Sequence, residues 1–173
     1  MTLKTGSLVF GLAVGAVMAL APVAQAQQAT ELGTFNAWTA WQATDASGVL
    51  CYISAAPQSS EPSGVNRDPI HFMIIHRKGM GTKNEVQTII GYPFNSSDAK
   101  ASASIDGKSY PMVTEGSAAW LASTGDEGGF VQAFKAGSQL QVRGTSQRGT
   151  NTVDTYSLSG ATAAMNAIDA ACA

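Results

Sequence analysis

Charge is scarce in this chain. Only 13% of its 173 residues are Asp, Glu, Lys or Arg, and the net charge is −2. The basic residues are scattered and form no stripe, so nucleic acid is excluded as the expected partner. Histidine occurs twice and cysteine twice. Without a Cys-x-x-Cys pair there is no redox dithiol, and His71 and His76 have no cysteine or second histidine at ligand spacing. Five residues apart in an expected strand, they point to opposite faces and cannot share a metal. No metal and no cofactor are expected. Long apolar runs are missing after the first 26 residues, which excludes a later membrane-spanning helix. Helical periodicity between strand-like segments is also missing, which excludes a parallel α/β sheet.

The apolar residues that are present begin with a leader. Lys4 precedes an apolar, small-residue run over 7–21, Pro22 breaks it, and Ala24-Gln25-Ala26 is a cleavage signal. Residues 1–26 read as a secretory signal peptide, with a retained membrane anchor as the alternative. Residues 27–173 would form one domain, and no cysteine stands beside the cleavage site to take a lipid. In an oxidising compartment Cys51 and Cys172 are expected to form a disulfide rather than remain two buried thiols. Closing a loop of about 120 residues would contribute about 5 kcal/mol on the chain-entropy model.

Short strand-like runs follow one another with turns every 8–12 residues, the pattern of an all-β sandwich. Residues 27–33 read as a loose polar lead. Residues 57–69 hold three prolines and read as a loop with no regular element. The run 70–77 reads as a buried strand. Asp106-Gly107 joins strand-like runs 99–105 and 108–113, a strong hairpin signal because both central residues take positive φ. Residues 123–129 read as a solvated turn, although Asp126 and Glu127 could attract calcium weakly. Residues 130–135 and 139–145 read as a hairpin about 136–138. Trp38 and Trp41 should face opposite sides of their strand. After the last strand, over 152–158, Ala161, Ala164, Met165, Ile168, Ala171 and Cys172 fall at helical spacing, with Ser159 as the expected N-cap.

A hydrolase triad of Ser146, a histidine and Asp154 is disfavoured. Gly144-Thr-Ser-Gln-Arg148-Gly149 places its second glycine one residue too late for a nucleophile elbow, and a turn serine bonding local backbone explains Ser146. No catalytic residue is assigned. Arg143, Arg148 and Asp154 are expected to pair across the final hairpin and are the candidate binding residues, on a turn carried by a rigid sheet.

Gly91-Tyr92-Pro93-Phe94, Ile105-Asp106-Gly107, Ala119-Trp120, Lys135, Gly144 to Gly149, and Asp154-Thr-Tyr156-Ser-Leu158 before a late cysteine occur in that order. Together they resemble the invasion-associated locus B family of bacterial envelope proteins, over most of the chain from Trp38 to Cys172. The resemblance implies an immunoglobulin-like antiparallel β-sandwich in the periplasm, outer-membrane associated or secreted. It also implies an accessory or binding factor, linked in some pathogens to host-cell entry, with no catalytic residue to transfer. A protein or glycan partner, in the envelope or on a host surface, is the expectation. A secreted hydrolase with an unrecognised site and a purely structural periplasmic protein are the alternatives.

Overall fold

Alternation of inward apolar and outward polar side chains builds most of this fold. The computed structural model describes residues 29–173; the leader expected over 1–26 lies outside them. The strands are β1 (Thr30–Phe35), β2 (Trp38–Asp45), β3 (Gly48–Ala55), β4 (Ser59–Glu61), β5 (His71–Arg77), β6 (Thr82–Ile89), β7 (Ser102–Ile105), β8 (Lys108–Glu115), β9 (Ala118–Leu121), β10 (Gln139–Thr145) and β11 (Asn151–Ser157). Two helices, α1 (Glu127–Ala136) and α2 (Ala161–Ala171), complete the body. All pairings are antiparallel, in the order β1-β2-β3-β5-β6-β9-β8-β7-β10-β11-β4.

The sheet closes over a core because β8 serves both halves. Its first half, Lys108 to Pro111, pairs with β7, and its second half, Met112 to Glu115, pairs with β9. Pro111 has no N–H to give. Its carbonyl accepts from Ala122 on one side, and the next amide, Met112, donates to Ala101 on the other. The strip therefore folds back on itself into an all-β sandwich. Phe72 of β5 meets Tyr156 of β11 at 5.8 Å between ring centroids. The buried Trp38 Nε1 donates to the Ser157 carbonyl across the gap, at 2.9 Å. Trp41, facing the other way as expected, stacks on Tyr52 at the half-buried surface.

Residues 130–135 are not a strand but the body of α1. Phe130 and Phe134 are four apart, a spacing that suits either period. Gln132 and Val131 decide between them. In a strand Gln132 would share the buried face, yet it is exposed, and Val131 is buried beside Phe130. As a helix the segment plugs the sandwich with aromatics. Phe134 meets the edge of Trp38 at 4.8 Å and Phe130 the edge of Tyr110 at 5.0 Å. Such pairs contribute about 0.5–1.5 kcal/mol each beyond their burial. The expected solvated turn over 123–129 is likewise a short 3₁₀ turn, Thr124–Asp126, leading into α1.

Two further expectations change at the edges. The polar lead is largely β1, an edge strand with a bulge between Glu31 and Gly33. Its few apolar residues hid it, because an edge strand needs little burial. The proline-rich loop contains β4, three residues that pair with β11. The Asp106-Gly107 turn forms as expected, with φ of +46° and +90°. Asp106 also accepts from Ser138 and the Gln139 amide, tying this turn to the start of β10.

Helix α2 lies over the outer strands and is clamped there. Ser159 does not cap it; its hydroxyl accepts from the Asn36 side chain, and Gly160 precedes the helix at φ +89°. The Gly160 α-carbon lies against the Phe35 carbonyl, leaving no room for a side chain. At the other end, Cys172 is bonded to Cys51 with α-carbons 6.0 Å apart. Cys51 sits opposite His76 in the β3–β5 register. Buried His76 accepts the Asn84 amide at Nδ1, so its Nε2 carries the proton donated to Asp169 of α2, at 2.9 Å. Lys135 of α1 reaches the other Asp169 oxygen at 3.0 Å. Burial alone would raise the Asp169 pKa, but the hydrogen bonds from His76 and Lys135 outweigh it and hold it below the usual carboxylate value.

Two outcomes follow from this clamp. Thiol titration of the unfolded, unreduced protein will find no free cysteine, and reduction will lower the unfolding free energy by about 2–5 kcal/mol in urea melts. Because the folded pKa of Asp169 is depressed, its contribution is complete at neutral pH and is lost as pH falls below its ordinary value of 3.8. Asp169→Asn will therefore be less stable than the wild type at pH 7, and the difference will close as the melts are repeated toward pH 3.

Candidate functional site

Two glycines bring separate stretches of chain together at one end of the sandwich. Gly91, at φ +78°, follows β6, and its α-carbon faces the Asp68 carbonyl. The Asp68 amide donates to the Gly91 carbonyl at 2.9 Å, so the segment 65–68 is stitched to this corner. Gly144, inside β10, leaves the space into which Phe94 packs; a β-carbon there would lie 2.5 Å from the Phe94 ring and 2.9 Å from the Tyr92 hydroxyl. Tyr92 and Phe94 meet edge to face at 5.6 Å, and the Tyr92 hydroxyl is 2.7 Å from that of Thr152 on β11. Burial raises the pKa of Tyr92, so it remains a neutral phenol.

The turn between β10 and β11 forms the second wall. Ser146 and Gly149 close it with a 2.8 Å backbone bond, and Gly149 takes φ +83°. Gln147 donates its amide to Pro93, and Phe94 bridges Ser146, so the turn is pinned to the same corner. Between the walls lies an open cleft of about 430 Å³. It is lined by residues 65–68, 91–93 and 146–148, with Thr150 and Thr152. That is the size range of small-ligand pockets.

An ion pair holds the base of the cleft. Arg67 grips Asp154 with both terminal nitrogens at 2.7 Å, while Ser60 donates to the same carboxylate at 2.6 Å. Nε and Nη2 of Arg67 also donate to the Ile90 carbonyl, and its guanidinium lies 4.9 Å from the Tyr92 ring centroid. The two side chains are only 5% and 1% exposed. The bond set matters because a buried pair is tolerable only when its remaining donors and acceptors are satisfied. Next to it on β11, the buried Tyr156 hydroxyl makes no hydrogen bond of good geometry, and neighbouring Thr88 donates to the His71 carbonyl. Burial first, and then the Asp154 charge, push its pKa upward.

The three candidate binding residues therefore have three different settings. Arg148 is exposed at the tip of the turn and lines the cleft. Arg143 stands on the outer face of β10, outside the cleft, where it donates to Gln141. Asp154 is buried and pairs with neither of them; the expected pairing across the hairpin is replaced by Arg67. A carboxylate at an inward position, between Thr152 and Tyr156, was the signal for a buried cation, but nothing local named Arg67 within a proline-rich loop. Ser146 accepts from the Thr150 amide through its hydroxyl, as a turn serine does. His71 is exposed and His76 buried, on opposite faces of β5. Among the described residues no group of three or more His, Cys, Asp or Glu could hold a metal, and no helix is long and apolar enough to cross a membrane.

One wall of the cleft, from 144–149, and the stretch 91–94 come from phrases that carried the sequence resemblance, with Asp154 beneath; the other wall, 65–68, formed no part of it. A family model for the invasion associated locus B (IalB) protein matches residues 38–169. The chain belongs to the IalB family. The match starts at the tryptophan that opens β2 and ends at Asp169, so it spans the sandwich from β2 to β11, the ion pair and most of the α2 clamp, leaving out edge strand β1. Comparison with curated proteins gave no match, and neither did comparison with solved structures.

Removing one member of the buried pair leaves the other charged and unpaired, which costs about 3–5 kcal/mol. Arg67→Met will lower the unfolding free energy by that amount in urea melts. Arg143→Ala, on the solvated face, will change it by less than about 0.5 kcal/mol.

Proposed function

We propose that this IalB-family chain is an exported envelope protein without catalytic activity, and that it recognises a protein or glycan partner through the cleft. Its place is the periplasm, with association to the outer membrane or release from the cell as the further steps that host interaction would require. Export is supported by the leader pattern over 1–26 and by a disulfide, which persists in oxidising compartments. The observation that carries recognition is the division of labour between two arginines. Arg67 is fully committed to Asp154 and fixes the base, whereas Arg148 is exposed on a turn whose backbone is pinned to Pro93. A rigid scaffold presenting an uncommitted polar loop is how binding sites are commonly built. Ser146, the only serine considered for acyl chemistry, is occupied with its own turn, which favours binding over hydrolysis.

A crosslinking pull-down from native envelope extract tests this reading. Val65, 41% exposed on the cleft wall, can be enlarged without disturbing the core. Val65→Trp and Arg148→Ala will lose the partner captured by the wild type, while Arg143→Ala keeps it. Identical capture by all four proteins, each folded by its melting profile, would remove the cleft from consideration.

A further inference from the structure

Asp68 and Arg148 are both exposed and both line the cleft, the first on the segment 65–68 and the second on the turn between β10 and β11. The first is stitched to Gly91 and the second rides on a turn stitched to Pro93. Neither is in an ion pair with any described residue. Below them Arg67 and Asp154 neutralise one another. The cleft therefore presents one uncommitted negative wall and one uncommitted positive wall over a base without net charge. Free charges so arranged complement a ligand that carries both signs at once.

The floor narrows the class. A sugar ring would need an open aromatic face, but the guanidinium of Arg67 covers the Tyr92 ring and Phe94 packs against it. The walls instead carry Asn66 and Gln147, exposed amides able to donate to and accept from a peptide backbone. A cleft of about 430 Å³ admits a few residues, not a folded surface. We propose that the cleft binds a short free peptide, with its α-ammonium against Asp68 and its α-carboxylate against Arg148. This rests on the reading of the cleft as the recognition site, and puts a short peptide in place of a glycan or a whole folded protein as what enters it.

Trialanine with free ends is the probe, titrated by calorimetry into the purified protein at low salt. Saturable binding is expected. N-acetyl-trialanine, trialanine amide, and the variants Asp68→Asn and Arg148→Gln should each weaken it by about tenfold or more, because each removes one charge-assisted contact. Both variants alter exposed side chains, and unchanged melting midpoints will confirm their fold. Binding of the blocked peptides as tightly as trialanine, or no binding of trialanine, overturns the proposal. So does preferential binding of an end-blocked peptide carrying Lys and Glu side chains. If trialanine fails while Val65→Trp still loses the envelope partner, the cleft stands and the peptide assignment falls. If Val65→Trp keeps that partner, the recognition reading falls as well.

Discussion

A carboxylate turned inward on β11 constrains this molecule more than any other single group. Asp154 alternates with Thr152 and Tyr156 on the buried face, so the strand's own period forces it out of water. An isolated buried carboxylate is untenable, and the fold answers with a guanidinium brought from the loop before β5. That choice settles several distant parts. The loop must close down over β6 so that Arg67 can also bond the Ile90 carbonyl, and Gly91 must lack a side chain so that Asp68 can approach. Edge strand β4 must lie beside β11 so that Ser60 can complete the carboxylate's shell. A proline-rich stretch with almost no apolar content is thus ordered by charge where burial could not order it.

The opposite end of the sandwich is ordered differently. There the closing element is α1, whose two phenylalanines fill the opening between the β5 side and the β11 side. Helix α2 then covers the outer strands, held by sulfur, imidazole and ammonium within one turn of Asp169. The disulfide and the His76–Asp169 bond leave from adjacent strands, β3 and β5, at paired positions. Either alone would let the helix pivot; two attachments at neighbouring rungs fix its direction as well as its place.

What could be read before the coordinates depended on how local the cause was. Asp106-Gly107 is a local cause, two residues that tolerate positive φ between alternating runs, and it was legible. The opposite faces of His71 and His76, and of Trp38 and Trp41, follow from strand period alone and were legible too. The union of Cys51 with Cys172 needed only the compartment and the count. Phe130 and Phe134 were misread because a spacing of four satisfies both periods, and three flanking glycines, Gly128, Gly129 and Gly137, argued against a helix. Tertiary packing of the aromatics overrode that propensity. Ser159 failed as a cap because Gly160 must approach the Phe35 carbonyl, a contact 125 residues away in the chain. The cleft lay further still from local reading. Its phrases could be listed, but that 65–68, 91–93 and 146–150 meet depends on where a buried salt bridge pulls a loop.

The same geometry explains why a recognition site would sit at this end and not beside α2. Each contact that builds the cleft is made by groups facing inward or by backbone: Arg67 to Asp154, Asp68 to Gly91, Gln147 to Pro93, Phe94 into the space of Gly144. Those groups are consumed in tying the segments of the cleft to one another. The side chains of Asp68, Asn66, Gln147 and Arg148 are left on the open side, and none is needed by the sandwich. On the proposed reading, stability and recognition are carried by different atoms of the same short segments. Substitutions at the four open positions can change what the cleft accepts without loosening its frame, and a frame already rigid spares a ligand the entropy of ordering the loops it touches.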